Sequence, residues 1–286
     1  MTQPLPFSMD ADDPRSPTRE QWDQMTAEQR RQVVDALPCD VPLDLFMPEG
    51  DRHRKAKNHA IGALDGFFRR IGRRVYLSSE LNVYYPGEPR FAPDVLAVID
   101  VEPHEREKWV VLDEGKGLDF VLEIHVSGSF VKDYEGNRKR YARLGIPEYF
   151  LFDRTRGSLF GWRLASPEAR AYEPILPQHG LFPSRMLGLD LGLEGDRLRF
   201  YYGMAPVPEA DELIARLDEI VAQFVRRAQE AEQERDQERL ERERAEQGRE
   251  RAEQERDQER LERERVERRV AELEAELARL RGGGKA

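Results

Sequence analysis

The chain has 286 residues, 36% of them charged and 39% apolar, against about 25% and 45–50% in ordinary globular domains; that length suits one sizeable domain with an appendage, or two modest ones. The net charge is −10, and residues 201–286, with 24 acidic and 18 basic side chains, hold −6 of it, which leaves −4 for the first 200. Neither part is basic, which argues against a protein that coats nucleic acid electrostatically, while an enzyme that meets DNA through a few placed cations and a metal stays open.

Residues 1–18 are rich in Pro and Asp and read as a flexible lead. Residues 19–50 read as a short helix and a connector: Thr26 with Gln29 three positions on suggests a capped start, Val33, Val34 and Leu37 form a small apolar stripe, and the prolines of 38–50 break the chain. Over 53–72, Ile61, Leu64, Phe67, Phe68 and Ile71 share one helical face. The period then changes. VYLSSELNVYY (75–85) is rich in strand formers, and PDVLAVID (93–100) and LDFVLEIHV (118–126) are apolar runs of the kind a doubly covered strand needs. Residues 131–145 read as a helix ending at Gly145, EYFLFD and SLFGWRL as strands around a turn, and the stretch to 204 as short strands and turns. This order predicts an α/β (α+β) domain over 51–205, a mixed β-sheet core flanked by helices.

From 206 to 281 the pattern is one long charged helix, followed by a flexible tail at 282–286. AEQERDQERLERER occurs at 231–244 and again at 252–265, an offset of three heptads. In a heptad frame one seam runs Ile214, Val221, Ala228, then Arg235, Arg242, Arg249, Arg256, Arg263, then Val270 and Leu277. The apolar ends suit a coiled coil and the Arg-lined middle resists one, so the expected partner is a second copy of the chain, joined through the helix ends.

Two carboxylates stand out. Asp94 opens an otherwise apolar strand and Glu123 interrupts another. An ionised carboxylate without a partner is costly to bury, so each needs a cation or hydrogen bonds. Two at the ends of neighbouring strands could share one hard divalent ion. His125, two residues past Glu123, points to the same side of its strand. Each has an ordinary alternative: a salt bridge for Glu123, a turn cap for Asp94, a packed imidazole for His125. A single cysteine, Cys39, excludes an internal disulfide and suits a reducing compartment. No signal-peptide core or run of ~20 apolar residues is present, so a cytoplasmic protein with no membrane partner is expected.

FAPDVLAVID, GLDFVLEIHVSGS and KDYEGNRKRYARLGIPEYFLFD together resemble the Uma-two family of the PD-(D/E)xK nuclease superfamily, through Asp94, Glu123, Ser127, Asp133, Tyr141, Gly145, Pro147, Glu148, Tyr149 and Asp153. The resemblance, over roughly 50–200, implies a restriction-endonuclease-like fold and a Mg²⁺- or Mn²⁺-dependent nuclease acting on DNA. Asp94, Glu123 and the backbone carbonyl of Ile124 would be the metal ligands, and Asp94, Glu123, His125 and Lys139 the catalytic set. One position departs from the family pattern: Asn137 stands where a lysine is expected. Lys139 lies two residues later, about 200° around a helix. The two readings carried forward are therefore an endonuclease whose lysine is displaced or lost, with His125 or Lys139 assisting the water, and a degenerate nuclease fold serving as an interaction and oligomerisation module.

Overall fold

The computed structural model describes residues 7, 10, 12–40, 50–126, 128 and 130–282. In chain order the elements are α1 (Arg19–Asp23), α2 (Ala27–Ala36), α3 (Asp51–Ile71), β1 (Val75–Ser78), β2 (Asn82–Tyr84), β3 (Val95–Ile99), β4 (Lys108–Val110), α4 (Val111–Glu114) and β5 (Phe120–His125). A π-helical segment, Lys132–Asn137, then runs into α5 (Arg138–Arg143). The remainder is β6 (Glu148–Asp153), β7 (Ser158–Leu164), β8 (Tyr172–Pro174), β9 (Phe182–Ser184), β10 (Leu189–Glu194), β11 (Arg197–Tyr202), β12 (Ala205–Pro206) and α6 (Ala210–Gly282). Contacts divide the chain into two units, Met1–Ile214 and Ala215–Ala286.

The first unit is built on a six-stranded mixed sheet in the order β1-β3-β5-β6-β7-β8. Only β5 and β6 run parallel within it, with Phe120 opposite Glu148 and His125 opposite Asp153. The two faces are covered by different elements, which is why the central strands are apolar throughout. Val95, Ala97, Phe120, Leu122 and Phe150 point to α3, whose Ala60, Leu64, Phe67 and Phe68 meet them together with Leu189, Leu191 and Phe200 of the second sheet. Leu96, Val98, Val121, Tyr149 and Leu151 point the other way, toward Tyr141 of α5, Trp109 and Trp162. The second sheet, β12-β11-β10-β9, is antiparallel throughout.

α3 ends where the sequence allows: Gly72 takes the left-handed conformation (φ 67°) and its N–H bonds back to Arg69 and Phe68. The expected helix over 131–145 is present but not uniform. Val131 is helical, Lys132–Asn137 is π-helical and Arg138–Arg143 is α-helical, before Gly145 turns the chain at φ 77°. From Asp12 to Thr18, where it is described continuously, the lead also differs from expectation. Ser16 is buried and donates to the Tyr85 carbonyl at 3.0 Å, Arg15 and Ser16 bridge to Pro89 and Pro86, and Thr18 with Gln21 forms a capping box on α1. Trp22 of that helix is buried with Leu37, Tyr84 and Val110, so one large aromatic anchors the helix that follows the lead. Ser127, most of the connector and the tail beyond Gly282 lie outside the described residues.

The second unit holds α6 from Ala215 on, with Leu217, Val221 and Phe224 near one end and Val266, Val270, Leu273 and Leu277 near the other exposed. Asp236–Arg239 and its repeat counterpart Asp257–Arg260 pair at 3.2 and 3.5 Å, support worth a few tenths of a kcal/mol each.

Candidate metal centre

The β3–β5 ladder ends at Val95 opposite Leu122, so the next antiparallel step brings Asp94 opposite Glu123. Pro93 stops the ladder from continuing, because it has no N–H to donate. Freed from sheet pairing, the Asp94 carboxylate accepts from the Ile124 N–H at 2.7 Å, and the Asp94 N–H reaches Glu123 Oε2 at 3.5 Å. The His125 carbonyl accepts from the Arg154 N–H at 2.9 Å, so alternation along β5 turns the Ile124 backbone toward the β3 edge. The Ile124 carbonyl thus opens on the same edge as its N–H, past the end of β3. Burial pushes the Glu123 carboxyl well above the usual carboxylate range, and the neighbouring Asp94 charge pushes it further; the Tyr141 hydroxyl works in the opposite direction.

The following helix presents one face to this point. Tyr141 donates its hydroxyl to Glu123 Oε1 at 2.5 Å, and Asn137, one turn earlier, offers its Nδ2 to the same oxygen at 3.5 Å. Another turn back, Asp133 Oδ2 lies 2.9 Å from His125 Nδ1, and the Asp133 carbonyl accepts from the Tyr149 hydroxyl. Asn137 therefore stands beside Glu123, at the position where a lysine is expected. The structure does not bring Lys139 there. It sits on the exposed face, between Asn137 and Tyr141 in sequence and opposite them on the helix, with its nearest ion-pair partner, Glu135, at 4.0 Å. His125 is buried on the Glu123 side of β5, held through Nδ1 by Asp133 and edge-on to Phe130.

Three further residues join the cluster. His53 of α3 places Nε2 at 2.9 Å from Asp94 Oδ2. Glu80 lies between β1 and β2 in the left-handed conformation (φ 53°), its N–H bonded to the Pro93 carbonyl at 2.9 Å. One ligand atom from each of His53, Glu80 and Asp94 lies within 4.8 Å of the others. Lys57, one helical turn after His53, is buried and holds Glu80 at 2.6 Å. The i,i+4 spacing of His53 and Lys57 could have flagged them, but DRHRKAKNH is so charged that it reads as a solvent face.

A family model named Uma2 and described as "Putative restriction endonuclease" matches residues 43–197. The chain belongs to the Uma2 family. The matched stretch contains every residue of the cluster, from His53 to Tyr141, and excludes α6. Among solved structures, one similar chain is that of "a putative nuclease belonging to DUF820 from Anabaena variabilis ATCC 29413", at 18% identity over 50% of this chain and 76% of that one, with a TM-score of 0.39. No curated protein matches. Among the described residues no helix is long and apolar enough to cross a membrane.

Proposed function

We propose that this member of the family is a Mg²⁺- or Mn²⁺-dependent endonuclease that hydrolyses DNA phosphodiester bonds. The observation that carries the reading is the convergence of the Asp94 and Glu123 carboxylates at the ends of two neighbouring strands, with Glu123 pushed toward its neutral form until a cation relieves it. The donor set fits a hard divalent ion: carboxylates of Asp94 and Glu123 with the Ile124 carbonyl. His53, if it turns its imidazole to the same ion, adds a nitrogen that Mn²⁺ accepts more readily than Mg²⁺. Such an ion supplies a bound water of lowered pKa and neutralises charge on the phosphoryl oxygens.

The chain's own residues do the rest. Tyr141 and Asn137 fix the Glu123 carboxylate so that one oxygen faces inward. Asp133 fixes the His125 ring, which serves as the imidazole nearest the attacking water. Lys139, solvated on the far face, takes no part. A second copy of the chain associates through the apolar ends of α6, where Phe224 and Leu273 remain exposed, and supplies the second strand cut. The chain acts in the cytoplasm.

Cleavage of plasmid DNA with Mg²⁺ or Mn²⁺ tests this, with Asp94→Ala and Glu123→Ala as controls. Activity that survives both substitutions would sink the assignment. One observation favours the rival reading, a nuclease fold kept as a docking module: Asn137 neutralises nothing at the point where an ammonium is expected. Calorimetric titration separates the two, since a docking module has no use for Mn²⁺ and takes none up at millimolar concentration.

A further inference from the structure

We infer that Lys57 of α3 supplies a cation to the cluster, facing the scissile phosphate beside the ion; this rests on the nuclease reading above. The argument begins with cost. Lys57 is 4% exposed, and a buried ammonium is retained only against a compensating partner. That partner is Glu80, itself 52% exposed at the side chain and held in a left-handed conformation that a branched-free but bulky residue adopts rarely. A tie between helix and loop would be made more cheaply by an apolar pair, so two unfavourable features have been kept side by side. They lie at the ion site. Glu80 shares its cluster with Asp94 and His53, His53 touches Asp94 directly, and Lys57 stands one turn of α3 beyond His53 on the same face. The ammonium is thus one carboxylate removed from Asp94.

In the reaction Lys57 stays protonated. It donates hydrogen bonds to a non-bridging phosphoryl oxygen, where negative charge gathers as the bond from water oxygen to phosphorus forms and the bond from phosphorus to the leaving sugar oxygen breaks. The attacking water gives up its proton to solvent as its oxygen bonds to phosphorus, and the leaving oxygen takes a proton from solvent.

The test compares the full-length wild type with Lys57→Met and with the double variant Lys57→Met/Glu80→Gln, all checked for folding by thermal melt. Plasmid cleavage by Lys57→Met is expected to lose at least about 100-fold in kcat with KM little changed, the loss typical of one transition-state donor. The double variant, which removes both charges of the pair, is expected to stay as slow. Restoration by the double variant, or cleavage within about threefold of wild type, would show that Lys57 only ties α3 to the loop and would overturn the inference. Calorimetry gives a second readout: losing an ammonium beside the ion is expected to tighten Mn²⁺ binding by about 3- to 10-fold, and unchanged affinity overturns the placement. Wild type that binds Mn²⁺ but leaves DNA intact refutes the nuclease reading alone, and tightened binding by Lys57→Met still carries the placement. Wild type that binds no Mn²⁺ removes both. Should Lys57→Met melt below the assay temperature, Lys57→Arg replaces it, with wild-type metal affinity and at least tenfold slower cleavage expected, because a guanidinium fork does not occupy an ammonium's point; wild-type cleavage by that variant overturns the inference.

Discussion

Replacing Glu123 by Gln keeps the shape of the side chain and removes the charge that its surroundings resist. Burial and the Asp94 carboxylate raise the Glu123 pKa well above its ordinary value, so the folded chain holds this proton to higher pH than the unfolded chain does. Below the unfolded value of about 4.3 the full stabilisation is present. It is lost as pH rises through the folded value, at up to about 1.4 kcal/mol for each pH unit in that window. For a folded unit of this size, each kcal/mol moves Tm by about 2–4 °C. In EDTA, the Tm of the wild type is therefore expected to fall relative to Glu123→Gln by roughly 3–6 °C per pH unit within that window, measured by circular dichroism melts from about pH 5 to 8. Saturating Mn²⁺ is expected to cancel the fall in the wild type, since ligand at 100 times Kd adds about 2.7 kcal/mol, and to do little for the variant. Wild-type and Glu123→Gln melting curves that run parallel across this range would refute the account of Glu123 as a buried carboxylate awaiting a cation.

Other outcomes follow from the same geometry. His53→Ala is expected to weaken Mn²⁺ binding more than Mg²⁺ binding, narrowing the preference in paired calorimetric titrations, because imidazole suits the softer ion. Tyr141→Phe removes the hydroxyl that Glu123 accepts; a loss of about 10- to 100-fold in metal affinity is expected, with the melt little changed in EDTA. Gly161→Ala places a methyl group 2.8 Å from the Phe150 ring and 3.3 Å from Ile175, an overpacking that costs about 1–3 kcal/mol by urea denaturation. Sedimentation of the full chain is expected to show self-association that Leu273→Glu/Leu277→Glu weakens, since charge at two seam positions disrupts an apolar pairing.

The parts legible in the sequence were those where one residue breaks a strong pattern. Asp94 and Glu123 each interrupt an apolar strand, and a lone acid there has few explanations. His125 followed from the two-residue period of a strand. What stayed hidden depended on contacts between distant segments. His53 and Lys57 sit among Arg52, Arg54 and Lys55, and nothing in the string separates the charges that face inward from those that face water. Glu80 lay inside a run rich in strand formers, where its left-handed backbone carries no compositional mark. The π-helical turn at Lys132–Asn137 spans too few residues to shift an apolar period, yet it sets which residues meet β5. Lys139 failed as a candidate for a simple reason of angle: two residues along a helix point away from each other. The docking of residues 15–18 was missed because prolines masked Thr18 and Gln21, a capping pair as plain as Thr26 and Gln29.

The cluster draws on α3, the loop before β2, the strand ends at Asp94 and Glu123, and the helix that ends at Arg143. A ribosome delivers these pieces in that order, and Tyr141, the hydroxyl partner of Glu123, comes last. Until it has been made and has docked, no stretch of the nascent chain carries the assembled cluster, so its carboxylates come together only late in synthesis. The cluster is complete only once the helix ending at Arg143 has been made, and the appended helix emerges afterwards, when the unit it follows already exists.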